Sequence, residues 1–287
     1  MGALMATWHY LKTKGGVTVP VQAFAPVGEA KAALLMLPAL GVQARFYQRL
    51  AKGLSAEGVA VYLFEQRGHG QSPYRPKRGE VFGCADYMNI DIPTAMEFVR
   101  SQQPNVPFYL GGHSLGGHMA SIVAGRQGAD IAGVFHLACG FPYAKLFNGK
   151  QAKQGMQIRF LAWAVPLLTF LLGFFPGDKL GFGGREYSRL MMDWRKWALG
   201  GNYNFGGYPE LEDQISRYSG GMLSIGFEHD YFVSEGALDY SRSRFQNADV
   251  TRVTLGETEQ GSFLGHFDWA KAPDGAVSAI LGWLKSM

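Results

Sequence analysis

Short, continuous apolar runs alternate with segments of helical period, and that rhythm leaves few folds open. "AALLML" (Ala32–Leu37), "VAVYLF" (Val59–Phe64), "VPFYLG" (Val106–Gly111) and, His136 apart, "IAGVFHL" (Ile131–Leu137) are short and apolar. Runs of this kind are strands buried on both faces, as in a parallel sheet. "VTVPVQAFA" (Val17–Ala25) alternates with period two and predicts a half-buried strand ahead of them. Between the runs, Phe46–Glu57, Asp86–Gln102 and Leu115–Gln127 predict helices; the first carries Phe46, Leu50 and Leu54 on one face and ends at Gly58. Parallel strands need long crossovers, and helices supply them. The pattern therefore predicts an α/β fold with a mostly parallel, doubly wound sheet.

The rhythm breaks at Ala138. It resumes with "MLSIGF" (Met222–Phe227), a helix over Ser234–Arg244, "VTRVTL" (Val250–Leu255) and a last helix over Asp274–Lys285. The interruption, 139–208, is rich in aromatics, glycine and long apolar stretches. It predicts a cap inserted after the sixth core strand, with 1–138 and 209–287 forming the core domain. Hydrophobic residues make up 47% of the chain and charged ones 17%, which supports a large core and excludes disorder. The net charge of +4 is scattered, with only small groups such as Lys77-Arg78 and Arg242/Arg244, so no nucleic-acid partner is expected. Cys84 and Cys139 lack metal or redox spacing, which predicts free thiols in a reducing, cytoplasmic setting. Met1–Lys14 has no secretory signal pattern.

Phe160–Phe175, "FLAWAVPLLTFLLGFF", is uncharged throughout. It falls short of the about 20 residues of a membrane span, and Pro166 and Gly173 interrupt it. A pair of cap helices, buried or lipid-facing, is expected instead; contact with a membrane surface through the cap is the lesser alternative.

Chemistry enters at "YLGGHSLGGH" (Tyr109–His118). Ser114 lies between a predicted strand and a predicted helix, within the pattern G-x-S-x-G. A sharp strand-to-helix turn strains the backbone of its central residue, and side chains two positions away on either side would collide there. Gly112 and Gly116 remove the collision, and the hydroxyl is presented at the carboxyl edge of the sheet. The N–H of Leu115, at the helix start, is a ready oxyanion donor. A serine hydroxyl needs a base to take its proton. Of seven histidines, His113 and His118 are too near in sequence to fold back, and His136 lies inside a strand as core histidines do. His266, in "LGHFDW", follows the last predicted strand and lies on the edge that holds Ser114. A carboxylate must orient the imidazole. "FEHDYFV" (Phe227–Val233) follows another strand on the same edge and offers Asp230, with Glu228 as the alternative.

The order Ser114, Asp230, His266 with a G-x-S-x-G elbow resembles the α/β-hydrolase superfamily over nearly the whole chain. "RGHGQS" (Arg67–Ser72) is similar to a loop of its monoacylglycerol-lipase-like and serine-aminopeptidase-like members. "PALG" (Pro38–Gly41) and "DWRKW" (Asp193–Trp197) resemble a branch of predicted hydrolases. The resemblance implies that the loop after Leu37 supplies a second oxyanion N–H. Pro38-Ala39 stands where most relatives carry His-Gly, so Leu40 is the expected donor and Gly41 the alternative. It also implies a cap over the site. Leu168, Phe170, Trp194 and Trp197 are then expected either to wall an apolar cleft or to form cap core.

The expected activity is that of a serine esterase, carboxylesterase- or lipase-like, acting on small apolar or lipid-like esters without metal or cofactor. A peptidase or amidase of the same fold, with Asp178, Glu186 or Asp193 anchoring a substrate amine, is the alternative. A catalytically idle ligand-binding module is the other. The oligomeric state is left open.

Overall fold

The computed structural model describes residues 6–287. Ten strands occur among them: β1 (Ala6–Lys12), β2 (Thr18–Phe24), β3 (Ala32–Leu37), β4 (Val59–Phe64), β5 (Phe108–His113), β6 (Gly133–Leu137), β7 (Phe175–Pro176), β8 (Arg185–Glu186), β9 (Gly221–Phe227) and β10 (Asp249–Leu255). Eight form one sheet in the order β1-β2-β4-β3-β5-β6-β9-β10, and β7 pairs with β8 apart from it. Only β2 runs against its neighbours. The crossovers are α1 (Gln48–Ala56), then α2 (Cys84–Asp86) leading through a π turn into α3 (Ile92–Gln102), then α4 (Leu115–Gln127).

The apolar runs populate both sheet faces because successive side chains point opposite ways. Leu34 and Met36 of β3 pack with Leu50 and Leu54 of α1 on one face. Ala33, Leu35 and Leu37 pack with Met96, Met119 and Ile122 of α3 and α4 on the other. The chain winds from β3 to β4, then crosses back to β5 on the far side of β3. Strand order thus reverses between β3 and β5, where their diverging carboxyl ends open a crevice. Leu37 pairs with Gly112, so the loop after β3 and the turn after β5 emerge side by side.

Edge strand β1 is not visible in the periodicity. It lies antiparallel on β2 and is largely exposed, so its residues carry no clean apolar alternation. With β1 counted, β6 is the sixth strand.

Between β6 and β9 come α5 (Ala152–Leu172), α6 (Gly177–Leu180), α7 (Ser188–Gly200) and α8 (Leu211–Ser216). Here the expectation of a helix pair is corrected: Ala152–Leu172 is one helix that runs through Pro166. Proline lacks an N–H, which frees the carbonyl four residues earlier, that of Ala162. Arg195 Nε on α7 donates to that carbonyl at 2.9 Å, so the helix continues without an orphaned acceptor. It stops at Gly173, a left-handed C-cap with φ of 80°. The inner face of α5 packs Ala162 and Val165 against Met191, Trp194 and Ala198 of α7, with Phe175 completing a small core. After β9 the chain closes with α9 (Glu235–Arg242), α10 (Glu257–Gln260) and α11 (Asp274–Ser286), the last packing Ile280 and Trp283 on the α1 face.

Candidate active site

β5 ends at His113 and α4 starts at Leu115, so Ser114 makes the whole turn. It does so at φ 50° and ψ −115°, a conformation costly for any residue with a Cβ. A Cβ on Gly112 would meet Gly116 C at 2.0 Å, and one on Gly116 would meet Leu37 O at 2.2 Å. The two glycines therefore let the turn close against β3. The Ser114 N–H is tied to Leu137 O of β6 at 3.0 Å. The leading amides of α4, that of Leu115 first, have no carbonyl one turn earlier to bond and carry the positive end of the helix dipole.

On the same sheet edge, Asp230 follows β9 and His266 follows β10. The backbone N–H groups of Phe232 and Val233 donate to Asp230 Oδ1 at 2.8 and 3.1 Å. That local turn aims Oδ2 at His266 Nδ1, 2.8 Å away. Both side chains are buried. Donation from Nδ1 fixes the tautomer and leaves Nε2 with its lone pair, the state a base requires. Glu228 is exposed and turns toward Gly256 instead. Asp230 and His266 are thus directly joined; Ser114 stands half-buried on the neighbouring elbow, and no hydrogen bond among the described residues links its hydroxyl to His266.

The loop carrying Leu40 is held from three sides. Ala39 N–H donates to the Tyr47 hydroxyl at 2.9 Å, and that hydroxyl donates to His113 Nδ1 at 2.9 Å. Burial first, and the neighbouring His266 second, hold His113 well below the usual histidine range, so its Nδ1 is free to accept. Ala44 N–H donates to Glu65 Oε1 at 2.9 Å. The third restraint is the cap. Gly41, at φ 78°, lies so close to Gly184 that a Cβ there would meet Gly184 N at 2.2 Å. Gly184 N–H donates to Glu186 Oε1 at 2.8 Å, and Glu186 Oε2 faces His69 Nε2 at 3.2 Å. Tyr47, Glu65 and Glu186 lie in no motif. The contacts that matter, Tyr47 to His113 and Glu186 to His69, cross 66 and 117 residues and leave no mark on the spacing of motifs.

The cap residues expected at a cleft divide. Phe170 is 75% exposed, on the side of α5 opposite its packed face, and Trp197 is fully buried. The expectation for Phe170 is corrected, while of the two alternatives for Trp197 the structure has core. Phe170 faces outward because the Ala162–Val165–Thr169 stripe takes the inner side. Trp197 is core because its indole N–H is satisfied by Tyr203 O at 3.1 Å and its ring packs on His118. Trp194 is buried against Phe182 within the cap, and Leu168 is half-buried on the same cluster. The apolar groups beside His266 are Phe232 and Phe267, with ring centres 5.3 and 4.7 Å from the imidazole. Both remain partly exposed. Their adjacency to Asp230 and His266 in the chain was the available signal.

His118 and His136 are core residues, each held down to about 3 by burial. His118 accepts from the Tyr203 hydroxyl and donates to Gly140 O. Cys84 and Cys139 are free and buried. Among the described residues, no three His, Cys, Asp or Glu side chains converge as metal ligands would.

Comparison with known proteins gives the family. The family model described as serine aminopeptidase, S33, matches residues 28–187, more than half of the chain. Human monoglyceride lipase is 30% identical over 112 residues, 38% of this chain and 35% of that protein. A monoacylglycerol lipase from Mycolicibacterium smegmatis is 26% identical over 124 residues, 43% of each. The matched stretches thus span well under half of these relatives. Among solved structures, a carboxyl esterase from Bacillus coagulans superposes with a TM-score of 0.68 over 99% of both chains at 14% identity, a likeness of fold. From the extent of the family match, the chain belongs to the serine aminopeptidase S33 family of hydrolases, and its sheet has the α/β-hydrolase fold.

Proposed function

We propose that this protein is a serine hydrolase that cleaves carboxylic esters of apolar, lipid-like acids. The observation that carries the proposal is the Asp230–His266 hydrogen bond on the sheet edge that also bears the strained Ser114 elbow. In the proposed reaction, His266 Nε2 takes the Ser114 proton as Oγ attacks the ester carbonyl carbon. The carbonyl oxygen becomes an oxyanion and accepts from the Leu115 and Leu40 amides. Collapse breaks the C–O bond, and the alcohol leaves with the proton from His266. Water, deprotonated by the same histidine, then attacks the acyl-serine, and the acid departs as Ser114 regains its proton. Asp230 stabilises the imidazolium in both halves. Phe232 and Phe267 offer the apolar wall nearest the reacting atoms, and they favour an apolar acyl or alcohol group.

A peptidase would need a free carboxylate for the substrate amine. Glu186 is fully buried and engaged with His69 and Gly184, while Asp193 is buried and accepts from Cys84 N–H. Asp178 is exposed on α6. Two of the three candidate anchors, Glu186 and Asp193, are therefore already engaged, which favours the ester reaction.

The test is labelling with a fluorophosphonate probe beside a panel of 4-nitrophenyl esters from acetyl to palmitoyl. Expected are stoichiometric labelling, ester turnover, and loss of both in a folded Ser114→Ala variant. An unlabelled wild type would support an idle binding module instead, and turnover retained by Ser114→Ala would remove the serine from the reaction.

A further inference from the structure

We propose that α5 is an interfacial anchor, and that its outer face docks this protein on a lipid surface carrying anionic headgroups. The proposal is independent of the ester reaction. It rests on what α5 exposes. Met156, Phe160, Trp163, Leu167, Phe170 and Leu171 recur at helical spacing and are each 58–77% exposed. They form one stripe along a 21-residue helix, about 30 Å long. A surface helix of a globular protein normally turns charged residues to water on that side. Here, from Phe160 onward, the outward face carries no charge at all.

Length and composition alone would let this helix cross a membrane. Its attachments show why it lies flat instead. Its inner face is committed to α7 through Val165, Met191 and Trp194. The Ala162 carbonyl is held by Arg195, and the last carbonyls, of Phe170 and Leu171, accept from Arg78. A spanning helix would have to leave all of these. A helix with one face packed on protein and the other apolar inserts only its outer side into the headgroup–acyl boundary.

The charge around the stripe selects the kind of surface. From Ile131 to Gly177 the chain has no acidic residue, and it has four basic ones, Lys145, Lys150, Lys153 and Arg159. Lys153 and Arg159 are exposed on the first turns of α5. Arg195 lies over the Trp163 ring at 5.5 Å, and Arg185 over the Phe174 ring at 3.6 Å. Guanidinium groups beside aromatic rings suit the headgroup level, where both find partners. Of the neighbouring exposed acids, Glu80 is paired with Lys77, and Asp178 follows on α6. A second copy of this chain fits less well, since joining two stripes would bring these cations together. Anionic lipid matches both the apolar stripe and its basic border.

The experiment is flotation of the full chain with vesicles of phosphatidylcholine, or of phosphatidylcholine with about 30% phosphatidylserine. The variants Leu167→Glu, Leu167→Trp and Arg159→Glu are tested beside the wild type. Each site is exposed, so melting temperature and turnover of a soluble acetyl ester should stay at wild-type values. Wild type should float with the anionic vesicles, and raising salt from about 0.1 M to about 1 M should weaken this. Leu167→Glu should lower the partition coefficient about tenfold or more, Leu167→Trp should retain it, and Arg159→Glu should lose the preference for phosphatidylserine. Absence of flotation, or flotation unchanged by Leu167→Glu, would overturn the anchor. So would light scattering that shows a dimer which Leu167→Glu dissolves, or wild-type protein that resists extraction by alkaline carbonate as a spanning helix does.

Discussion

Asp230 shows how one side chain divides its work. One oxygen is fixed by two backbone amides, so the other cannot swing away from His266. Replacing the acid with an amide keeps the shape but allows the wrong tautomer. Asp230→Asn should keep the melting temperature near wild type and lower ester turnover by about 10³–10⁴. Glu228→Gln should leave the rate alone, and the reverse result would reassign the acid. Tyr47 makes a different case. Its hydroxyl links the Ala39 amide to His113, hence the Leu40 loop to the strand that leads into Ser114. Tyr47→Phe leaves a buried donor and acceptor unpaired, which costs about 1–3 kcal/mol. If the hydroxyl positions the loop, kcat should fall about tenfold with KM little changed, less than the loss of an oxyanion donor itself. A lower melting temperature with unchanged kcat would make Tyr47 a packing residue only. The strand ends that carry Ser114 and Asp230 were legible from apolar runs, and the strand before His266 from the alternation of Val250–Leu255. Tyr47 was not, because hydrogen bonds across 66 residues leave no mark on spacing.

At the level of elements, legibility followed burial. The buried strands β3 to β6 and helix α4 declared themselves through apolar runs and glycine stops. Edge strand β1 did not, having one partner and little burial. Pro166 misled in the other direction, since its effect depends on Arg195, a residue 29 positions on that repairs the break. The β7–β8 hairpin is the element that joins cap to site. Its Glu186 faces His69 and raises that imidazole above its ordinary value through hydrogen bonding and charge, against the opposing effect of burial. A histidine with a raised folded value adds stability that is complete below its unfolded value of about 6.5 and fades as pH climbs through the folded one. Glu186→Gln should therefore lower the melting temperature most near pH 6. The gap to wild type should shrink toward pH 9, where His69 is neutral. A gap independent of pH would mean that the carboxylate serves the Gly184 amide alone.

For the molecule as a whole, the cap has its own small core of Ala162, Val165, Phe175, Met191, Trp194 and Ala198, while Trp197 and Tyr187 belong to the main one. Leu40 is the side chain that packs on both. A unit with a small core of its own can open without the rest. Arg195 is the contact most specific to it, since it caps the carbonyl freed by Pro166 and lies over Trp163. Removing it orphans the Ala162 carbonyl in a buried position and should bend α5 at the proline. Arg195→Ala should therefore destabilise the cap by about 1–3 kcal/mol. In native-state hydrogen exchange, amides from Leu161 to Thr169 should exchange about five-fold faster or more, since each 1.4 kcal/mol is a factor of ten. Those of β5 and α4 should keep their wild-type protection. If the whole chain loosens together, cap and core are one cooperative unit, and the lipid-facing helix is as rigid as the sheet beneath it.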